Sequence, residues 1–163
     1  MIAILLNDAS FEQDIRELLM AFYPGETFTH KEEEAGEAEL IVRGVRDGNS
    51  FSLDVTPVKK EAVHFALIYP DFSNRFETKN EIKQTLYRLL SAQTGRELPW
   101  GTLTGIRPTK IALTKLYDGW TDEQIETYMR ETYFTSKEKI DLSIDVAERE
   151  RRLLSTIDYE NGY

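Results

Sequence analysis

The 163-residue sequence predicts an α+β fold, in which a small N-terminal mixed β-sheet with one or two packed helices precedes an all-helical C-terminal half. Two observations support this prediction. Short apolar or alternating runs, which are typical of strands, are concentrated in the first 70 residues. Apolar residues at helical spacing, set behind capping signals, dominate the remainder. We therefore expect an α+β domain over residues 1–97 and a helical segment over residues 98–163.

The first 70 residues show the pattern strand, helix and then four strands. Residues 2–6 form a short apolar run, which predicts a buried strand. A capping box of Ser10 and Gln13 is predicted to begin a helix that Pro24 ends. The remaining predictions are a second strand at 27–30, an exposed acidic loop at 31–39, a hairpin of 40–45 and 51–55 around an Asp-Gly turn, and a last strand at 63–69.

Four helices are predicted after these strands. The first begins at a capping box of Thr78 and Glu81 and ends at Gly95, which suits a left-handed C-cap. The other three cover about residues 108–117, 122–131 and 136–157, begun by Pro108, by Thr121 with Gln124, and by Thr135 with Glu138 respectively.

The last predicted helix is apolar on two sides. A helix of this kind packs against two neighbours. We expect one neighbour to be absent from this chain. The two stripes are Ile140, Ile144 and Ala147, and Leu142, Val146, Leu153 and Ile157.

Composition excludes several classes of function. The formal net charge is −9, which argues against a broad nucleic-acid or anionic-membrane surface, because phosphate binding needs clustered cations. The absence of cysteine excludes disulfides, a thiol nucleophile and thiolate-bound zinc or iron–sulfur centres in this chain. The apolar N-terminus lacks the basic flank and the length of a signal peptide or a membrane span, so we expect a cytoplasmic protein.

Segment 98–110, which reads LPWGTLTGIRPTK, is the strongest candidate for a functional site. Between Gly95 and Lys115 there are four cations and one acid, a local net charge of +3. Pro108 suits the first position of a helix, whose free N–H groups and dipole favour an anion. The candidate anion-binding or substrate-binding residues are Thr104, Gly105, Arg107 and Lys110. The alternative is that Arg107 pairs with a nearby acid and the glycines only turn the chain.

Other candidate residues favour structural roles. His30 and His64 lie in predicted strands without a pattern of metal ligands or catalytic partners. Trp100 and Trp120 bracket the helix after segment 98–110 and are expected to anchor a core. The sequence nominates no catalytic, cofactor-binding or metal-binding residue, and segment 98–110 matches neither a Walker A loop nor a dinucleotide-binding fingerprint.

Segment 98–110 resembles the region just upstream of the catalytic core in the coproporphyrinogen dehydrogenase, or oxygen-independent coproporphyrinogen III oxidase-like, group of radical S-adenosylmethionine enzymes. The resemblance covers about half of the chain. It extends through residues 121–131, 133–139 and 146–149, and more loosely back through 94–97.

The resemblance implies a division of labour within a longer protein. In that family a Cys-x3-Cys-x2-Cys motif follows soon after such a helix and holds the 4Fe–4S cluster that cleaves S-adenosylmethionine. This chain has no cysteine. The resemblance therefore implies an N-terminal fragment of a porphyrin or haem biosynthesis oxidoreductase, not catalytic by itself, whose partner is a C-terminal catalytic barrel of the same polypeptide. It also implies a carboxylate-bearing tetrapyrrole as ligand, near Arg107 and Lys110.

Two alternatives remain open. One is a helical binding module for nucleic acid or protein, using Lys110, Lys115 and Arg130. Nine cations against twelve acids in residues 100–163 disfavour nucleic acid. The other alternative is a purely structural scaffold, in which segment 98–110 serves only packing.

Overall fold

A computed structural model describes residues 1–59, 63–104 and 107–160, with side chains described as far as residue 156. The chain divides into two compact units, Met1–Leu98 and Pro99–Tyr163. We refer to them as the sheet unit and the helical unit. The predicted fold class is confirmed, since a five-stranded mixed sheet lies in the N-terminal half and helices fill the C-terminal half.

The sheet has the strand order β2-β1-β3-β4-β5. β1 pairs in parallel with β2 and β3, whereas β3, β4 and β5 pair in antiparallel fashion. The parallel pairs follow from the chain path, because parallel neighbours need a crossover connection and the predicted helix after β1 supplies one. The strands are β1 (Ile2–Leu6), β2 (Phe28–Thr29), β3 (Leu40–Asp47), β4 (Ser50–Pro57) and β5 (His64–Ile68).

Helices α1 (Glu12–Phe22) and α2 (Arg75–Thr94) contact each other and pack on this sheet. Side chains alternate between the two faces of a strand, so one face of β4 collects its apolar residues. The residues of this core share near-complete burial: Val42, Phe51, Leu53 and Val55 from the sheet, Ile15, Leu18, Leu19 and Phe22 from α1, and Ile82, Leu86 and Leu90 from α2.

The capping residues predicted for two helices are wrong, by two residues at the first helix and by about a turn at the second. Asp8, rather than Ser10, caps a short 3₁₀ turn (Ala9–Phe11) that leads into α1, and its carboxylate accepts a hydrogen bond from Ser10 N at 3.0 Å. Asn74 caps α2 by accepting from Glu77 N at 3.1 Å. Thr78 lies inside α2 and donates its hydroxyl hydrogen bond to the carbonyl of Asp71. In both cases a polar residue further upstream provides the cap.

The predicted exposed loop at 31–39 is also corrected. A 3₁₀ helix spans Glu32–Glu37, and Ala35 and Ala38 are buried against Ala3 and Leu5 of β1. Small side chains among the acids therefore cover the outer face of β1, which the charge of this stretch concealed.

The effect of removing the Asp8 cap on stability is expected to depend on pH. Hydrogen bonds from Ser10, followed by the Arg46 guanidinium, lower the pKa of Asp8 below its usual 3.8. A lowered carboxyl pKa contributes stability that is present above the unfolded-state pKa and lost as pH falls through the folded-state pKa. We expect Asp8→Ala to reduce the free energy of unfolding by about 1 kcal/mol at neutral pH, and the loss to shrink in acid toward that of removing an uncharged cap.

Urea unfolding of both proteins from pH 7 downward measures this difference. Asp8→Asn is the control, because it keeps the capping oxygen and loses the charge; it should be less destabilising than Asp8→Ala. An Asp8→Ala loss that stays constant across this range would contradict the role of the ionised cap.

The helical unit contains α3 (Pro108–Tyr117), α4 (Asp122–Tyr133) and α5 (Lys137–Glu160). The capping box of Thr121 and Gln124 is confirmed, with both of its hydrogen bonds present. At α5 the cap differs from the prediction, because the hydroxyl of Ser136, not that of Thr135, accepts from Lys139 N. The core of this unit comprises Leu103, Ala112, Leu116, Ile125, Met129, Tyr133, Ile140, Ile144 and Ala147.

The two apolar stripes of α5 differ in burial. Ile140, Ile144 and Ala147 are buried against α3 and α4, as the first stripe predicts. Leu142 and Leu153 of the second stripe are 46% and 61% exposed. Val146 is also exposed, and the side chain of Ile157 lies outside the described residues. The second apolar face of α5 is thus open to solvent over its described length.

Candidate functional site

The first part of segment 98–110 binds the turn between α4 and α5. Gly101 adopts a left-handed backbone conformation with φ of +62°. A Cβ atom there would overlap the carbonyl oxygen of Tyr133 and lie 2.6 Å from the carbonyl carbon of Phe134. Glycine is therefore required twice at this position, for its backbone angle and for the close approach of the two chains.

Hydrogen bonds hold this contact from both sides. Thr102 N donates to the carbonyl oxygen of Tyr133 at 2.7 Å. In the other direction, Ser136 N donates to the carbonyl of Pro99 at 2.9 Å, and the Thr135 hydroxyl donates to the carbonyl of Trp100 at 3.2 Å. These contacts form a brace, which we define as residues 99–103 together with the α4–α5 turn.

The two tryptophans pack on the same core. Trp100 and Trp120 are both partly buried against the apolar cluster of the helical unit. The Lys115 ammonium lies 4.5 Å from the ring centre of Trp120 and 4.8 Å from that of Tyr128, so it is held by two cation–π contacts. Burial and the Tyr128 hydroxyl raise the pKa of the neighbouring Tyr133, which keeps its hydroxyl neutral. One of the four cations between Gly95 and Lys115, Lys115 itself, is thus held against aromatic rings.

The second part of the segment exposes its cations at the start of α3. Pro108 is the first residue of the helix, as predicted, and Arg107 precedes it with an extended backbone. The side chain of Arg107 is 63% exposed, and its Nη2 lies 3.3 Å from Oε1 of Glu150 on α5. Lys110 is the third residue of the helix and is exposed. Arg107 and Lys110 therefore lie at the same helix start, with a carboxylate from a distant part of the sequence beside Arg107.

The other two candidates are less well defined. Thr104 is half-buried and already interacts with other groups of the chain. Gly105 lies outside the described residues. The structure therefore brings together Arg107 and Lys110, while the contribution of Gly105 to the site stays a prediction.

The cations that make up the local charge of +3 have different partners. Arg96 donates to the carbonyl of Phe22 at the end of α1, and Lys115 lies against aromatic rings. The alternative pairing considered for Arg107 is present, since Glu150 accepts from it. An anion at the start of α3 would meet the side chains of Arg107 and Lys110 and the positive end of the helix dipole, in competition with Glu150; Pro108 has no N–H to offer, and Lys110 N donates to the carbonyl of Arg107 at 3.1 Å.

Sequence reasoning missed Glu150 and Tyr133 as partners of this segment. Glu150 is one acid among many on an amphipathic helix and carries no distinguishing local signal. Tyr133 contributes through its backbone carbonyl, which any residue type provides. The only available signal was Gly101, whose presence between an aromatic residue and a threonine indicates a close backbone approach.

Each unit contains further polar groups and hollows at its surface. His30 Nε2 lies 2.9 Å from Oε1 of Glu12 at the surface of the sheet unit. An open hollow of about 620 Å³ lies at the start of α4, lined by Trp120, Thr121, Glu123, Gln124, Thr127 and Tyr128. Among the described residues, no group of three or more His, Asp or Glu side chains is placed to hold a metal ion. Within the same residues, no helix is both long and apolar enough to cross a membrane.

The chain is similar to the oxygen-independent coproporphyrinogen-III oxidase-like protein HemZ of Bacillus subtilis (strain 168), with 35% identity over 98 residues. The matched stretch covers 58% of this chain and 19% of that protein, so the chain spans a small part of its relative. No protein-family model matches, and no solved structure matches. The resemblance predicted from segment 98–110 and its surroundings is confirmed by this match.

Proposed function

We propose that this chain is the accessory part of a porphyrin- or haem-related oxidoreductase, cytoplasmic and of the coproporphyrinogen dehydrogenase-like radical S-adenosylmethionine type. The observation that carries the proposal is the 98-residue similarity to a coproporphyrinogen-III oxidase-like protein. In this proposal residues 1–97 and 98–163 are two domains that precede a catalytic barrel. The chain itself positions that barrel and contributes to binding substrate carboxylates.

The donor atoms of this chain do not fit the iron–sulfur cluster of such enzymes. A 4Fe–4S cluster is held by cysteine thiolates, and the sequence contains none. We therefore assign the cluster and S-adenosylmethionine to the barrel, where the reducing chemistry would occur. The residues of this chain are left with binding and positioning.

The exposed apolar stripe on α5 supports the proposal that another part of the longer protein covers this helix. Leu142, Val146 and Leu153 follow one another along a face opposite the buried stripe. Exposed apolar faces of this kind mark packing interfaces. We propose that the barrel covers this face in the longer polypeptide.

The cations at the start of α3 support binding of a substrate carboxylate. Arg107 presents a guanidinium that can donate two hydrogen bonds to a carboxylate, and its single contact with Glu150 shows that a carboxylate can reach it. The ion pair is exposed, so displacing Glu150 costs little free energy. Lys110 on the same turn adds a second positive charge for a ligand that carries several propionates.

We expect the double variant Arg107→Ala/Lys110→Ala to bind coproporphyrin III about tenfold more weakly than the unmodified chain, since two exposed charge-assisted contacts contribute about 1.4 kcal/mol together. Quenching of tetrapyrrole fluorescence measures the affinity. Raising the salt concentration should narrow the difference.

The matched control is Arg130→Ala/Lys137→Ala, which removes two exposed cations of the same unit that pair with Glu126. This control should bind the tetrapyrrole as the unmodified chain does. Equal affinities in all three proteins would contradict a role for Arg107 and Lys110 in binding.

A scaffold role is favoured by one observation, the brace. The backbone groups of residues 99–102 are used to hold the α4–α5 turn, so this part of the segment serves packing. The two roles are compatible, because the brace fixes the chain just ahead of the exposed cations. The fluorescence measurement distinguishes the binding role from a scaffold role alone, because only a binding role predicts a weaker affinity for the tetrapyrrole in the double variant.

A further inference from the structure

The outer face of β5 is apolar along its whole length. Val63, Phe65, Leu67 and Tyr69 alternate along the strand and its ends, and they are between 48% and 71% exposed. The intervening residues His64, Ala66 and Ile68 face the other side, where α2 contacts the strand. A strand with one solvated face normally carries polar residues on that face. We call these four exposed side chains the β5 row.

β5 is also an edge of the sheet. The strand order places it at one end, with β4 as its only partner among the described strands. Free edges in monomeric proteins are protected by charges, prolines or bulges, because their unpaired backbone groups recruit other strands. Residues 63–69 contain no Asp, Glu, Lys or Arg in a chain in which 30% of residues are charged. This edge lacks charged protection over the length of the strand.

We propose that β5 pairs with β5 of a second copy of this chain, in antiparallel orientation about Ala66. This pairing places Phe65 opposite Leu67 of the copy and Val63 opposite Tyr69 of the copy, because opposed positions in such a pair are symmetric about the central residue. Each aromatic side chain then packs against an aliphatic one across the twofold axis, an arrangement that stabilises antiparallel pairs. The row is thus complementary to itself.

The distribution of charge permits the same occupant at this edge. Each copy carries a formal net charge of −9, so two copies meet favourably only where charges are sparse. The β5 edge is such a place. Edge pairing buries the flank of each of these four side chains that faces the copy, together with the backbone edge, and leaves their outer surface in water, so the contact buries well under the roughly 800 Å² that a standard interface buries on each partner. The expected dimer is therefore weak, with a dissociation constant on the order of 10 μM.

Sedimentation equilibrium of the 163-residue chain tests the proposal. We expect a monomer–dimer equilibrium in the micromolar range, and a dissociation constant at least tenfold higher for Phe65→Lys. The matched control is Tyr117→Lys, which places the same charge at an aromatic residue that is 58% exposed in the helical unit. This control should dimerise as the unmodified chain does. A chain that stays monomeric up to about 200 μM would overturn the proposal.

A distance measurement tests the contact without altering the row. Ser52 lies on β4 opposite Leu67, and the chain has no cysteine, so Ser52→Cys accepts a single spin label. The proposed pairing puts three strand spacings between the two labels, and we expect a label-to-label distance of about 15–25 Å in the dimer. A dimer with a distance beyond about 35 Å uses another surface and would also overturn the proposal.

Discussion

Replacing Gly101 by alanine is expected to destabilise the helical unit by about 3 kcal/mol or more. The left-handed backbone at this position disfavours alanine by about 1 kcal/mol. The added Cβ would also overlap the carbonyl oxygen of Tyr133, which accepts from Thr102 N at 2.7 Å. The atoms that the Cβ would meet, in Tyr133 and Phe134, belong to the backbone, which cannot move aside as a flexible side chain does. Overpacking therefore adds about 2 kcal/mol to the loss of stability.

Gly119→Ala provides a matched control for this substitution. Gly119 also has a positive φ, of +84°, but no atom lies within 4 Å of the Cβ that alanine would add. It should therefore show the backbone cost alone, about 1 kcal/mol. Chemical unfolding followed by tryptophan fluorescence compares the two variants. Equal losses would contradict the view that the close approach to the α4–α5 turn makes Gly101 necessary.

Phe51→Ala is expected to reduce the free energy of unfolding of the sheet unit by about 3–5 kcal/mol. Phe51 is 1% exposed on β4, and its ring packs edge-on against that of Phe11 at 6.2 Å between centres. Truncation removes a large apolar side chain and leaves a cavity between the sheet and the start of α1, which the surrounding backbone cannot fill.

The control for Phe51 is Phe76→Ala on α2, whose side chain is 51% exposed. We expect a loss below about 1 kcal/mol there, because less apolar surface returns to water and no enclosed cavity forms. Urea unfolding monitored by circular dichroism measures both variants. Similar losses at the two positions would contradict the placement of Phe51 in the core.

Periodic apolar patterns were sufficient to predict most elements of this fold. The strand at Ile2–Leu6 and the helix from Pro108 to Tyr117 occur as predicted, since their apolar spacing and the proline at the first position leave few alternatives. Strand order was not predictable, because the pairing of β1 with both β2 and β3 is decided by contacts between distant parts of the chain.

Capping signals were less dependable than periodicity. Thr121 with Gln124 forms the predicted capping box, whereas Thr78 satisfies its hydroxyl with a carbonyl seven residues upstream and leaves the cap to Asn74. A short polar side chain has several local partners of similar free energy, and tertiary packing chooses among them. Helix starts predicted from one motif therefore shift when a second capping residue lies upstream.

Segment 98–110 was recognisable from its composition, but its division into two parts was not. The contacts of Gly101 with the α4–α5 turn and of Arg107 with Glu150 join residues that are distant in sequence and have no spacing in common. In the structure, residues 99–103 act as a brace and the cations that follow are exposed. The local sequence was therefore enough to select this segment as a candidate site, but not to separate its packing part from its exposed cations.

The most direct test of the proposed accessory role is the sequence of the gene beyond the codon for Tyr163. We predict that the reading frame continues and encodes a Cys-x3-Cys-x2-Cys motif within a few tens of residues, followed by the rest of a catalytic barrel. A frame that ends soon after this codon, or continues without that motif, would contradict the proposal that this chain belongs to a radical S-adenosylmethionine oxidoreductase.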